Sequence, residues 1–248
     1  QDVAGPLGPE TRALLAYGGR TEDQRFMMNG VSLSSMIGGG WGGGAIPNAT
    51  GVAEMVFDYS SVSADLPTGG VRINFIAREG GNQYHGTMFG NFANSSMQGS
   101  NVSDEQLARN RLLANPGGVD KNWDFNPGFG GPLKRDKVWF FASGRSQGAN
   151  VFAGGMFYNL NANDPTKWTY QPVLSRPASP EKTWLDAQLR LTWQVNEKNK
   201  IGLTYTQQDF CACHDNISAT TAPEAGYDRR FPTQRVVLLD WTAPLTSR

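Results

Sequence analysis

The chain has 248 residues, and 22 Lys and Arg balance 22 Asp and Glu, so its formal net charge is zero at pH 7. That balance offers no electrostatic attraction for nucleic acid or for an acidic partner. Thirty Gly, seven Trp and thirteen Phe beside only two His make a poor toolkit for polar active-site chemistry, and they suit a glycine-punctuated, aromatic-rich β protein. No apolar run approaches the roughly 18–20 residues of a membrane helix, which leaves alternating strands as the way such a chain would meet a bilayer.

The chain begins at Gln1 with no signal peptide, which reads as a processed product or a piece of a longer protein. Residues 1–80 form a texture of their own, read as a small mixed α/β or mostly β unit. A short strand is expected at Phe26-Met27-Met28-Asn29-Gly30-Val31, followed by a flexible loop, Gly38-Gly39-Gly40-Trp41-Gly42-Gly43-Gly44. Extended runs then follow at Glu54-Met55-Val56-Phe57-Asp58 and Val71-Arg72-Ile73-Asn74-Phe75-Ile76.

From Tyr84 onward the sequence predicts six long strands, over residues 83–94, 122–133, 137–151, 183–196, 200–211 and 230–243. The clearest is Leu185 to Val195, where apolar residues hold every odd position and polar ones every even position. A period of two means two faces in two different environments. A soluble strand usually runs about 5–6 residues, whereas one crossing a bilayer needs roughly 9–11. The odd face is therefore expected to touch lipid, and the even face, with Asp186 and Arg190, a polar lumen.

Two connections are tight and charged, Lys134-Arg135-Asp136-Lys137 and Glu197-Lys198-Asn199-Lys200; three are long, over roughly residues 95–121, 152–182 and 212–229. Short and long alternate strictly, as in an up-and-down barrel with short turns at one rim and long loops at the other. Aromatic residues beside the tight turns, Trp139, Phe140, Phe141 and Trp193, suit either a girdle at the lipid–water boundary or a sandwich core.

The stretch from Gly18 to Ser146 resembles the TonB-dependent outer-membrane receptors, in the branch that carries a carboxypeptidase-regulatory-like N-terminal domain. Tyr17-Gly18-Gly19-Arg20 through Arg25, with Met28-Asn29-Gly30-Val31, is similar to that family's mid-plug segment. Glu54-Met55 and the run Gly69-Gly70-Val71-Arg72-Ile73-Asn74-Phe75-Ile76-Ala77-Arg78 resemble the motif that closes the plug. Glu79-Gly80-Gly81-Asn82-Gln83-Tyr84-His85-Gly86 looks like the entry to the first barrel strand, and Gly130-Gly131-Pro132-Leu133 through Phe141 like a hairpin of that branch. The resemblance implies a mainly β fold: a partial plug domain over residues 1–80, then about six long antiparallel strands of an incomplete outer-membrane β-barrel over residues 81–248. It further implies the outer membrane of a Gram-negative bacterium, contact with outer-membrane lipid, a TonB-type energy-coupling protein, and energy-coupled uptake of a scarce, small nutrient. On this reading the glycine loop 38–44 is a candidate plug apex, and Thr246-Ser247-Arg248 stands where a third tight turn would begin.

Two constellations compete with that reading. Gly144-Arg145-Ser146-Gln147-Gly148 matches the G-x-S-x-G elbow of serine hydrolases, with His214 downstream as a base. The elbow needs a strand, a sharp turn and a helix, and Ala149 to Gly155 is a poor helix start. A secreted esterase using Ser146 and His214 is the alternative function, and a soluble all-β binding module a third. Cys211, Cys213, His214 and Asp215 pack four metal-ligand types into five residues, but a closed metal site normally draws ligands from separated segments. The blander expectations are an oxidised pair on a loop tip or two free thiols. His85 reads as a structural polar residue. No catalytic, metal or cofactor-binding residue is assigned; the transported ligand, the redox state of Cys211 and Cys213 and the oligomeric state stay open.

Overall fold

The computed structural model describes residues 18, 20, 23–33, 45–59, 70–218 and 220–244. The glycine loop 38–44, the final residues 246–248 and most of the Tyr17–Glu22 segment lie outside them.

Four short strands make a first, small sheet: β1 (Arg25–Met28), β2 (Val31–Ser32), β3 (Val52–Asp58) and β4 (Arg72–Ala77), in the order β2-β1-β4-β3. The expected single strand over Phe26–Val31 is instead a hairpin. Asn29 and Gly30 both take positive φ, 48° and 81°, as a two-residue hairpin turn requires, and Asn-Gly is the dipeptide that favours it. β4 runs parallel to β1 and antiparallel to β3. Its alternate residues Ile73 and Phe75 point with Val52 and Val71 into a small apolar core against which Phe26 packs.

Six long strands form the second sheet: β5 (His85–Asn94), β6 (Gly118–Lys134), β7 (Val138–Phe152), β10 (Glu181–Asn196), β11 (Asn199–Asp215) and β12 (Tyr227–Thr242), in the order β12-β11-β10-β7-β6-β5. Every pairing is antiparallel. The six predicted strands are thus present, each within a few residues of its expected bounds, and the tight turns fall at residues 135–137 and 197–198. The long connections hold structure that the sequence reading missed. A helix, α1 (Asp104–Arg109), starts in a Ser103/Gln106 capping box, and a small hairpin pairs β8 (Phe157–Asn159) with β9 (Pro172–Pro177). Among the described residues the sheet does not close: β5 and β12 each keep one unpaired edge.

The two faces of this sheet sort residues opposite to a water-soluble protein. On β10 the even residues Asp186, Gln188, Arg190 and Thr192 are buried, while Leu185, Leu189 and Trp193 are 54 %, 40 % and 46 % exposed. Cross-strand register carries the same sorting across the sheet. One outward row reads Phe140, Leu191, Leu203 and Leu239, and the next reads Phe129, Ala142, Leu189, Tyr205 and Val237. The matching inward row reads Gly130, Phe141, Arg190, Thr204 and Leu238. From the Trp193 row to the Leu185 row the apolar band spans eight residue steps, roughly 27 Å along the strand, close to the ~25 Å band of outer-membrane barrels.

The aromatic residues near the tight turns divide between the faces. Trp193, Trp241 and Phe140 face outward; Trp139 and Phe141 pair with the inward residues Thr192 and Arg190. Three consecutive strand residues cannot share one face, so only part of the expected cluster belongs to an outer girdle.

Candidate functional site

The inward face of the large sheet meets the small unit along a seam that is polar on both sides. The contacts come from two stretches of the small unit: residues 45–51, which lead through a 3-10 turn (Ala49–Gly51) into β3, and residues 78–82, which lead from β4 to β5. The register of β6, β7, β10 and β11 places a ladder of amides and charges opposite them.

The seam has three amide rungs. The Ile46 amide donates to Gln208 Oε1 at 2.9 Å, and Gln208 Nε2 donates back to the Ile46 carbonyl. Gln208 thus treats Ile46 as a neighbouring strand would. Its Nε2 also donates to Asp186 Oδ2 at 2.8 Å. Asn48, fully buried, caps the 3-10 turn by accepting from the Thr50 amide. It also exchanges two bonds with Asn126, 3.0 Å and 2.9 Å long. Gln188 Nε2 donates to the Gly51 carbonyl at 3.1 Å. A Cβ on Gly51 would lie 2.6 Å from Gln188 Oε1, so glycine is what lets this chain approach the wall.

The fourth rung is ionic. Arg190 donates to Glu79 Oε1 at 2.8 Å, to Asp240 Oδ1 at 2.9 Å and to Thr204 Oγ1 at 2.8 Å. Lys200 Nζ sits 2.5 Å from Glu79 Oε2. Partial burial pushes the Glu79 carboxyl upward, but the Lys200 and Arg190 contacts outweigh it and hold the group below its ordinary value. Farther along the wall, Arg145 forms a forked pair with Asp124, at 2.5 Å and 2.9 Å, and lies 5.0 Å over the Trp184 ring. Burying these charges costs less because each is paired and hydrogen-bonded.

The motif residues at 78–82 hold the junction. Arg78 donates to the Val52 carbonyl and lies over the Phe141 ring. A Cβ on Gly80 would stand 2.3 Å from the Phe140 carbonyl oxygen. Asn82 Oδ1 accepts from the Asp136 amide at 2.9 Å and from Trp139 Nε1 at 2.7 Å. The Glu79–Asn82 run therefore fastens the small unit to the first tight turn of the large sheet. Sequence reading recognised this motif but not its partners, which lie 54 to 121 residues away in the chain.

The competing constellations come apart. Ser146 lies inside β7 on the outward face, paired with Phe125 and Leu185, and accepts from Trp123 Nε1 at 3.2 Å. No helix follows it. His214 is two strands away and five residues beyond the register partner Asp209, roughly 16 Å along the strand. An elbow with an adjacent base is not formed. Cys211 and Cys213 are bonded to each other, and they sit inside β11 rather than on a loop tip, because that strand runs on to Asp215. His214 is exposed and Asp215 pairs with Arg229 at 3.3 Å. Among the described residues no group of three metal-ligand side chains gathers. His85 faces inward from the edge strand, its ring 6.0 Å from that of Phe141.

No protein-family model matches the chain. Over 75 residues it is 33% identical to the TonB-dependent transporter Oar of Myxococcus xanthus, a stretch covering 30% of this chain and 7% of that protein. The chain thus spans a small part of the curated relative it matches. The siderophore receptor PirA from Acinetobacter baumannii superposes with a TM-score of 0.47 at 14% identity, over 76% of this chain and 24% of that one. Over the stretch shared with the Myxococcus protein the chain is thus similar to a TonB-dependent transporter, the family whose plug and first-strand motifs its own residues resemble.

Proposed function

We propose that the chain is part of a receptor that sits in the outer membrane of a Gram-negative bacterium and takes up a scarce, small nutrient with energy delivered by a TonB-type coupling protein. In this reading residues 1–80 are the later part of the plug, and residues 81–248 are the first strands of the barrel around it. Strands beyond β5 and β12 would complete the wall, since a barrel leaves no free edge.

One observation carries the reading: the large sheet turns leucine, valine and tryptophan outward and glutamine, threonine and arginine inward, toward the small unit bound against that face. Burying Asp186 and Arg190 while exposing Leu185 and Leu189 is costly for a sheet in water. It is the expected arrangement when the outer solvent is hydrocarbon and the lumen is polar. The polar seam also suits a plug that must move. Amide bonds exchange for bonds to water at a net loss of only about 0.5–1.5 kcal/mol each, whereas a dry apolar seam would resist at roughly 25 cal/mol per Å².

Bromolipid quenching tests the orientation. Trp184 and Trp193 stand on one strand and on opposite faces, 3 % and 46 % exposed. Two variants of the chain, each keeping one of these tryptophans and refolded in vesicles of brominated lipid, should separate. Trp193 is quenched and Trp184 is not. Equal quenching, or none, overturns the assignment of lipid to the odd-numbered face.

A further inference from the structure

Cys211 and Cys213 are joined within one strand, two positions apart. A disulfide stabilises mainly by constraining the unfolded chain, and the effect shrinks with the loop it closes. This one closes a loop with a single residue between its two cysteines. The strand does not need it either: Cys211 and Cys213 keep register with Thr183 and Glu181 on β10, and Cys211 with Arg230 on β12. Main-chain pairing already holds Cys211 on both sides and Cys213 on the β10 side, while the β12 register slips between Ala212 and Asp215.

The bond lies where a water-borne reagent can reach it. Both sulfurs face outward, and they line a cavity of about 290 Å³ together with Thr183, Leu185, Asp209, Phe210, Arg230 and Pro232. Leu185 ends the outward apolar band, and the row of Thr183, Cys211 and Arg230 is the next beyond it. The pair therefore stands just past the band, on the side of the long connections.

The charges around the two sulfurs differ. Arg230 is the cross-strand partner of Cys211, whereas Glu181 is that of Cys213. Arg230 also pairs with Asp228 at 2.9 Å, and the carboxylate of Asp209 accepts from the Thr233 amide. A thiolate forming at Cys211 would be held by the neighbouring guanidinium, and one at Cys213 would be opposed by a carboxylate.

We propose that Cys211–Cys213 is a thiol-exchange site that takes low-molecular-weight thiols, with Cys213 attacked and Cys211 leaving. An incoming thiolate bonds to Cys213 Sγ; the Cys211–Cys213 bond breaks, and its electron pair goes to Cys211 Sγ beside Arg230, where it collects the proton that the thiol lost. A second thiol attacks the bound thiol's sulfur and departs with it as a disulfide, leaving Cys213 to take up the second proton. Two thiols are oxidised to one disulfide and the protein pair is reduced to two thiols.

The test uses the full chain refolded in lipid vesicles and reduced glutathione at millimolar concentration, with alkylation and mass spectrometry reading the free thiols. The expected result is that both cysteines become alkylatable while the β-sheet circular dichroism signal is unchanged. Arg230→Gln should slow the reduction about threefold, since a poorer leaving thiolate departs more slowly. In Cys211→Ser, oxidised glutathione should leave its adduct on Cys213. A pair that stays closed until the chain is denatured, or a sheet signal that collapses on reduction, overturns the proposal. An unchanged rate in Arg230→Gln overturns the assigned direction of attack.

Discussion

The two sheets of this chain follow the same strand chemistry and put opposite residues inside. The small sheet buries Val52, Val71, Ile73 and Phe75, as a protein in water does. The large sheet buries Gln188, Arg190, Thr204 and Gln208 and leaves Leu239 and Trp241 about three-quarters and two-thirds exposed. Period-two alternation is common to both, so alternation alone does not say which face is the core. On the proposed reading the difference is the medium outside each sheet: water or polar lumen around the first, hydrocarbon on the outward side of the second. Where the two meet, both present polar groups, and the seam is built of hydrogen bonds and ion pairs.

The largest expected effect breaks the small sheet. Phe75→Ala removes a ring from its apolar core and should cost about 3–5 kcal/mol in urea unfolding of that unit, with lipid or without. Next comes the outward apolar wall. Leu189→Arg places a charge in the middle of the outward band and should destabilise the vesicle-inserted chain by about 2–4 kcal/mol. The same variant should gain solubility without lipid. A loss in vesicles no larger than that in detergent-free buffer would mean that Leu189 does not touch hydrocarbon.

The ionic rung sharpens the comparison further. Glu79 is held below its ordinary value of 4.5, so its charged form is favoured in the folded state. The stability it adds is fully present above about pH 5.5 and is lost as the pH falls through 4.5 and then through the lower folded value. Glu79→Gln should lower stability at pH 7 by roughly 1 kcal/mol, because Glu79 is partly solvated and Asp240 still pairs with Arg190. The variant should also flatten the acid limb of a stability–pH curve. An acid limb identical to that of the parent chain would show that other carboxylates set it.

Much of this architecture was legible in the residues. Long alternating runs with charged tight turns located all six strands of the large sheet, and the faces of Leu185–Val195 followed from the period. The misses have local reasons. Asn29-Gly30 carries its own turn signal, yet it lay inside a run of β-formers. Ser103 and Gln106 form a capping box, but six helical residues in a long polar connection leave no periodic trace. Trp139, Phe140 and Phe141 read as one cluster although a strand must split them. β11 outran its expected end at 211 and absorbed Cys213 because pairing with β10 continues to Glu181. The seam was the least legible part. Ile46 and Gln208 are 162 residues apart, and nothing in either segment names the other.

The smallest expected effect concerns that seam. In Gly51→Ala the new methyl group meets the Gln188 amide at 2.6–2.8 Å, and a side-chain amide can swing away where a backbone group could not. The swing breaks the bond from Gln188 Nε2 to the Gly51 carbonyl, so the loss should be that of one hydrogen bond, about 1 kcal/mol. The rungs at Ile46, Asn48 and Glu79 remain to hold the two units together. Gln188→Ala in the same background then removes the obstruction as well as the donor. If the rungs act separately, the double variant should be no less stable than Gly51→Ala alone. A further drop of similar size would show that Gln188 supports the wall itself, through its neighbours Ser143 and Thr206 in the inward row, as much as it supports the docked segment.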